Sequence, residues 1–203
     1  GPCPSYSDAK YIVALYDFNM GIAEFVPVAS KSIPDLAAAV YTEWVCKYSV
    51  PARLTTMLDE DHNQALGQAI ETCIGASTSL QISTVHEPSL PENLYRITTQ
   101  LLQDTGLDWE DYIPALQYAY NTSYNSKVEA IPFEKLFGRP ARSFQTETPS
   151  MGDDLPSQRL NIYLKAKQLV EQDVRRKQES PPPDSEFAVG QTVYFWEKSF
   201  GQT

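Results

Sequence analysis

Short β-prone runs alternate with amphipathic helices along the first 85 residues, and this order is the feature that most limits the fold. Residues 11–18 (YIVALYDF) and 23–28 (AEFVPV) predict two strands, with Asn19-Met20-Gly21 as the turn between them. Ser32 then predicts the start of a helix, because Pro34 suits a first helical turn and Asp35 stands three residues after the cap. The chain therefore opens with a hairpin followed by a helix.

Three more elements complete this pattern. A strand is predicted within 50–58, an amphipathic helix over 63–74 that ends at Gly75, and a strand over 80–85. The order β-β-α-β-α-β predicts an α/β fold in which helices cover both faces of a central sheet. The apolar stripe of the first helix consists of Leu36, Ala39, Val40 and Trp44.

Two helices are predicted beyond the last of these strands. One begins at Ser89 and carries Leu90, Leu94, Ile97 and Leu101 at helical spacing. The other begins at Asp108 and carries Trp109, Ile113, Leu116 and Tyr120.

The last third of the chain changes in character. Residues 143–157 are rich in Thr, Pro, Ser, Gly and Asp and predict a linker, and 158–180 predict a long polar helix. The apolar stripe of that helix is thin, so it needs a covering surface from its own core or from a second chain; its residues are Leu160, Tyr163, Val170 and Val174. Residues 187–198 predict a strand pair around Gly190, which begins a small β module over 181–203.

The charge balance is strongly acidic. The chain has 16 Lys and Arg against 26 Asp and Glu, a formal net charge of −10, and a pI near 4.6. Because DNA is a dense polyanion, the molecule as a whole repels it. The basic residues of the last third either lie on solvated helix faces or form a local strip that binds nucleic acid, and the sequence leaves both interpretations open. They are Arg139, Arg142, Arg159, Lys165, Lys167, Arg175, Arg176 and Lys177.

Membrane and metal sites have little support in the sequence. No apolar run approaches the roughly 20 residues that cross a bilayer, so no membrane association is expected. The three cysteines, Cys3, Cys46 and Cys73, lack metal-ligand spacing, and only His62 and His86 could join them. We therefore expect neither a bound metal nor another cofactor.

A family resemblance appears in residues 119–142, which contain AYNTS and then IPFEKLFGRPAR after Asp108-Trp109. This order resembles the end of a Ty3/gypsy-type retrotransposon integrase core. Upstream, Gly1-Pro2, the predicted hairpin and the segment YSVP at 48–51 resemble the G-P-x-P segment, the hairpin and the [HY]-G-x-P turn of that family. The likeness extends over nearly the whole chain.

The resemblance implies an RNase H-like fold, with a five-stranded mixed sheet and flanking helices. It places that core at 1–142, a linker helix at 158–180, and the start of an SH3-like module at 181–203. It also implies an active site of three carboxylates that hold two divalent cations. The first of these acids lies on a strand before the G-P pair, so we expect it to fall before Gly1. Asp17 matches a position that carries no metal in the family.

The second acid of the family lies in a segment similar to R-x-x-S-D-Q-G-T-N-F. Counting from Arg53 places Met57 at that position, while two inserted residues would place Asp59 there and would also align Asn63. Asp59 thus has two interpretations that the sequence leaves open: a metal-ligand position, or a turn residue that caps the next helix.

Whether we expect catalytic activity depends on the residue at the position of the family's third acid. The family motif H-P-Q-[ST]-x-G-x-x-E matches the segment that begins at His86, and its final glutamate is here Leu94. The nearest acid, Glu92, fits a capping box with Ser89 better than a metal site. We therefore expect no catalytic residue, with Met57 or Asp59 and Leu94 at degenerate positions.

The resulting hypothesis is a catalytically inactive, retrotransposon-derived integrase-like domain. We expect it to act as a protein interaction or dimerisation module in a nuclear or chromatin-associated complex, with a protein partner and as a homodimer. Two alternatives remain. One is an active integrase that uses Asp59 and Glu92, and the other is a non-catalytic DNA-binding remnant with weak nucleic-acid affinity.

Overall fold

The computed structural model describes residues 9–85, 109–142, 155–179 and 193–199. These residues divide into two compact units. The first contains 9–19, 23–85 and 193–199, and the second contains 20–22, 109–142 and 155–179. Strands and helices occur together, so the predicted α/β class is confirmed.

The first unit begins with the predicted hairpin. Strand β1 (Tyr11–Asp17) pairs antiparallel with β2 (Ala23–Val28), with Tyr11 opposite Val28 and Tyr16 opposite Ala23. Five consecutive residues of β1, from Ile12 to Tyr16, are buried, so both faces of this strand are covered. A continuous apolar run is typical of a strand that lies inside a sheet.

The first helical stretch begins where Ser32 predicts it. Helix α1 (Ile33–Val40) is capped by the Ser32 hydroxyl, which accepts the Asp35 backbone N–H at 3.4 Å. The helix continues through a π-helical turn (Tyr41–Val45) and ends in the short helix α2 (Cys46–Tyr48). The predicted stripe, Leu36, Ala39, Val40 and Trp44, is buried.

The next elements are β3 (Arg53–Thr56), α3 (Glu60–Ile74) and β4 (Gln81–Thr84). Strands β3 and β4 are parallel, and α3 packs against α1 and β4. The helix ends at Gly75, whose left-handed backbone (φ 76) closes the last turn as predicted. It begins three residues earlier than predicted, because Asp59 provides the N-cap.

Strand β5 (Val193–Ser199) lies in the middle of the same sheet, whose order is β2-β1-β5-β3-β4. It is antiparallel to β1 and parallel to β3. The sequence predicted β-structure here but as the start of a separate module. Alternation identifies a strand, whereas its partner is set by whichever sheet edge is free to accept its hydrogen bonds.

The second unit is helical. A 3₁₀ turn (Trp109–Tyr112) leads into α4 (Ile113–Asn121), which is followed by α5 (Pro132–Phe137) and the long α6 (Leu155–Glu179). Helix α6 packs against α4, and Tyr163 contacts Tyr118 with ring centroids 5.3 Å apart. A partner surface for α6 therefore exists within this chain.

The buried face of α6 differs in part from the predicted stripe. Tyr163 and Val170 are buried as expected, but Leu160 is only partly buried. The face is completed by Ile162, Ala166 and Leu169. These residues lie at spacings of three, four and seven, which form one continuous helical stripe. The helix also begins at Leu155, inside the segment predicted as a linker.

The predicted helix from Ser89, including Leu90, Leu94, Ile97 and Leu101, lies outside the described residues. The same holds for most of the predicted linker, 143–154. Among the described helices, none has the length and apolar character needed to cross a bilayer.

Candidate functional site

The candidate site lies at the carboxyl ends of the parallel strands β3 and β4, where residues 57–59 lead from β3 into α3. Thr56 and Thr84 are the last residues of the two strands and stand opposite each other in the register. Carboxyl ends of parallel strands are a common location for binding sites in α/β proteins. Both candidates for the second acid, Met57 and Asp59, fall in this turn.

A closed network of hydrogen bonds fills the base of the turn. The Thr56 hydroxyl donates to the Asn63 side-chain oxygen at 2.5 Å and accepts the Leu58 backbone N–H at 3.0 Å. The Asn63 amide donates to the Thr84 hydroxyl at 2.8 Å and to the Leu58 carbonyl at 3.4 Å. The Thr84 hydroxyl in turn donates to the same carbonyl at 2.7 Å.

The hydrogen-bond donors of this network's side chains are all satisfied by other groups of the network. Both hydroxyl protons and both amide protons of Asn63 have acceptors in the network, and Thr56 and Asn63 are almost completely buried. A buried network that is satisfied in this way makes the local geometry rigid. Its chemistry is neutral, because hydroxyl and amide groups carry no charge at any ordinary pH.

Asp59 acts as the N-cap of α3. Its carboxylate accepts the His62 backbone N–H at 2.9 Å and lies 2.6 Å from His62 Nδ1. The backbone hydrogen bond and then the side-chain contact with His62 lower the pKa of this carboxyl. Both side chains are mostly exposed, at 67% for Asp59 and 60% for His62. Of the two interpretations of Asp59, the capping geometry is present in the structure.

The other positions that the sequence analysis considered for the active site do not form a cluster with Asp59 in the described structure. The Met57 side chain is 43% exposed and carries no charge. Asp17 ends β1, and its carboxylate accepts the Asn19 backbone N–H at 2.7 Å within the hairpin turn. Leu94 and Glu92 lie outside the described residues. Across the described part of the chain, no group of three or more His, Cys, Asp and Glu side chains is arranged to hold a metal ion.

A second polar cluster, which the sequence analysis missed, surrounds Glu24 on β2. This side chain is 4% exposed, and its two oxygens accept hydrogen bonds from the Tyr48 hydroxyl at 2.5 Å and from Lys47 Nζ at 3.0 Å. Lys47 also contacts Glu43 at 2.7 Å. These contacts connect β2 to α2, at the end of the first helical stretch.

The pKa values of the donors reflect this arrangement. Burial first, and then the hydrogen bond to Glu24, raises the pKa of Tyr48 well above its ordinary value. Burial acts to lower the pKa of Lys47, but its contacts with Glu43 and Glu24 outweigh that effect and raise it. The only sequence signal for this cluster was a glutamate inside an apolar strand, since its partners come from residues more than 20 positions away.

The basic residues of the last third do not form one strip on α6. At about 100° per residue, the positions of Arg159, Lys165, Lys167 and Arg175 fall at about 0°, 240°, 80° and 160° around the axis. Arg159 lies 3.6 Å from Asp111, and Arg139 lies over the Phe133 ring at 5.1 Å. Arg176 and Lys177 have no described side chains. The helix therefore spreads its described cations around its circumference.

The described cysteines, Cys46 and Cys73, are exposed free thiols. Comparison with family models found no match to this chain, and comparison with curated proteins found none either.

Proposed function

We propose that this chain is a catalytically inactive, integrase-like domain of retrotransposon origin, with an RNase H-like fold, that acts as a protein interaction and dimerisation module. Several features support the fold. The sheet has five strands and is mixed, with an antiparallel hairpin and a parallel pair, and helices α1 and α3 pack on its strands. A mixed sheet with flanking helices is also what the sequence resemblance implies, whereas the fifth strand, β5, comes from the segment that the resemblance places in the SH3-like module.

The backbone at Ser49 gives further support. The segment at 48–51 resembles a turn in which the family has glycine at the second position, and Ser49 stands there with φ 109. Residues other than glycine rarely adopt this conformation. The turn thus has a glycine-like backbone at the position where the family motif has glycine.

The observation that carries the loss of activity is the position of Asp59. Asp59 is the acid that the family motif offers for the second metal ligand when two inserted residues are admitted, and its carboxylate caps α3. Next to it, the Thr56–Asn63–Thr84 network is neutral and internally satisfied. In the sequence, Leu94 stands where the third acid of the family belongs. Two-metal phosphoryl transfer needs several converging carboxylates.

Calorimetric titration with Mn²⁺ tests this proposal. We expect no stoichiometric binding of two ions to the chain, either unchanged or as Asp59→Asn. Tight binding of two Mn²⁺ that Asp59→Asn abolishes would contradict the proposal and favour the active integrase.

The same position provides a structural readout. Asp59→Asn should retain the cap, because Asn and Asp serve equally well at this position, whereas Asp59→Ala should lower the urea midpoint. Asp61→Asn, in the exposed first turn, is the matched control and should leave the midpoint nearly unchanged. Equal loss in the Asn and Ala variants of residue 59 would argue against the capping role.

The interaction role rests on charge and on the loss of the catalytic acids. A net charge of −10 disfavours a polyanionic ligand, and the described cations of α6 are spread around the helix. A protein partner in a nuclear or chromatin-associated complex, and a second copy of the chain, remain the proposed ligands. Sedimentation should give a dimer. A salt-dependent shift of labelled duplex DNA would instead support the DNA-binding alternative.

A further inference from the structure

An aromatic pair lies partly in solvent on α5. Phe133 and Phe137 stand four residues apart, a spacing that places them on one face of the helix, and their ring centroids are 4.6 Å apart. Phe137 is 53% exposed, more than any other large hydrophobic residue that the structure describes. Aromatic side chains often anchor protein contacts, because each buries a large apolar area. The pair therefore offers an apolar surface to a partner.

The segment that contains this pair is basic. Residues 132–142 include Lys135, Arg139 and Arg142 and a single acid, Glu134, whereas the whole chain has a net charge of −10. All three basic residues are exposed. The charge of this segment is thus opposite in sign to that of the molecule, and it favours a negatively charged ligand.

Arg139 is held against the aromatic pair. Its guanidinium carbon lies 5.1 Å from the centroid of the Phe133 ring, within the range of a cation–π contact. Helix α5 ends at Gly138, whose left-handed backbone (φ 65) turns the chain out of the helix immediately before Arg139. A guanidinium that stacks on a ring has a defined orientation, and its planar fork of N–H donors matches a carboxylate.

The segment is fixed at both ends. Asn125 and Ala130 exchange backbone hydrogen bonds of 2.9 and 3.3 Å just before α5 begins at Pro132. At the other end, the Tyr118 hydroxyl donates to the Arg142 carbonyl at 2.5 Å. A surface that is ordered before binding loses less conformational entropy when a ligand docks, so more of the contact energy contributes to affinity.

We propose that Phe133, Phe137 and Arg139 form a docking site for a short acidic peptide segment of a protein partner. A carboxylate of the peptide pairs with the Arg139 guanidinium, and an apolar side chain of the peptide packs on the Phe137 ring. This inference rests on the proposed interaction role and names the chemistry of the partner.

Charge distribution favours a short peptide over duplex DNA. Duplex DNA carries one negative charge per about 1.7 Å of its axis, so it extends beyond the docking site and meets the acidic remainder of the molecule. A short peptide places its few charges near Arg139. Repulsion from more distant acids is screened beyond about 8–10 Å at ordinary ionic strength.

Fluorescence anisotropy with the full chain and three labelled probes tests the docking site. The probes are a short peptide of Glu and Asp with two Phe residues, the same peptide with Gln and Asn in place of the acids, and duplex DNA. We expect saturable binding of the acidic peptide at low salt. The amide peptide should bind at least about tenfold more weakly, because it forms no charge-assisted hydrogen bond with Arg139.

Four variants locate the site. Arg139→Ala and Phe137→Ala should each weaken binding of the acidic peptide by about fivefold or more. Arg139→Lys should also weaken it, because lysine retains the charge but lacks the planar fork. Lys135→Ala is the matched control: Lys135 is exposed on the same helix, but about 200° around the axis from Phe133, so binding should change by less than about twofold. Circular dichroism of the variants should match that of the unchanged chain.

Several outcomes overturn the docking site. They are absence of binding by the folded chain, equal binding of the acidic and amide peptides, and equal losses in Arg139→Ala and Lys135→Ala. Binding of duplex DNA that is tighter than that of the peptide and depends on Arg139 would assign the surface to nucleic acid instead.

Sedimentation separates this inference from the function on which it rests. A dimer that dissociates in Phe137→Ala would assign the surface to a second copy and overturn peptide docking. Absence of peptide binding by a chain that still forms a dimer removes the docking site and keeps the dimerisation role. Tight binding of two Mn²⁺ would overturn the proposed function itself.

Discussion

At the scale of single residues, the backbone at Ser49 is the clearest local conflict among the described residues. Ser49 follows α2, and its N–H donates to the Val45 carbonyl at 3.1 Å while its φ is 109. A side chain at this φ is strained, and glycine would relieve the strain. Ser49 is exposed, so its replacement leaves no buried cavity.

We therefore expect Ser49→Gly to stabilise the protein by about 1–2 kcal/mol. Urea denaturation monitored by tryptophan fluorescence measures the change. Ser79→Gly is the matched control: Ser79 is also exposed, and it is not among the described residues with positive φ other than glycine. This control should give no gain. A loss of stability in Ser49→Gly would show that the turn does not have this conformation in solution.

At the scale of elements, the long helix α6 shows how a thin apolar stripe is covered. Its buried residues, Ile162, Tyr163, Ala166, Leu169 and Val170, pack in the unit that contains α4. The Tyr118 hydroxyl, beside Tyr163, donates to the Arg142 carbonyl at 2.5 Å. The helix contributes to its own unit's core, and its exposed described side chains include Arg159, Gln168 and Glu171.

Alanine substitutions at two neighbouring positions of α6, one buried and one exposed, should change the unfolding free energy by different amounts. Leu169→Ala removes a side chain that is 8% exposed and should cost roughly 2–4 kcal/mol of unfolding free energy. Gln168→Ala, one position away on the exposed side, should change it by less than about 0.5 kcal/mol. Thermal and urea denaturation check both values. Equal effects at the two positions would mean that α6 does not pack through this face.

At the scale of the whole molecule, stability should depend on alkaline pH. The pKa values of Tyr48, Tyr118 and Tyr163 are all raised in the folded chain, chiefly by burial, and Tyr48 has the largest shift. The unfolded chain releases these protons near the ordinary value of 10.0, while the folded chain retains them. The stabilisation is therefore complete below about pH 10 and decreases as pH rises above it.

The urea concentration at the unfolding midpoint should therefore be lower at about pH 10.5 than at about pH 8. Tyr48→Phe should reduce this slope, because it removes the most strongly shifted group. It should also lower the midpoint at neutral pH, since Glu24 loses one of its donors. Tyr124→Phe, at a position that is 41% exposed, is the control for loss of a tyrosine hydroxyl. An unchanged slope in Tyr48→Phe would contradict the buried contact with Glu24.

Much of the first unit follows from local chemistry alone. The hairpin, the Ser32 cap, the stripe from Leu36 to Trp44 and the glycine stop at Gly75 are all set by residues close together in sequence. Apolar periodicity and capping act over three to eight residues, so the sequence carries their signal directly. The acidic charge, too, is a property of composition.

Only the tertiary structure decided the contacts between distant residues. Glu24 meets Lys47 and Tyr48, Asn63 meets Thr84, and Val193–Ser199 enters the sheet between β1 and β3. In each case the local pattern identifies an element or a polar residue but contains no information about its partner. Hydrogen-bond partners and sheet neighbours are chosen when the whole core assembles, because a buried donor, acceptor or strand edge must be satisfied by whatever packs against it.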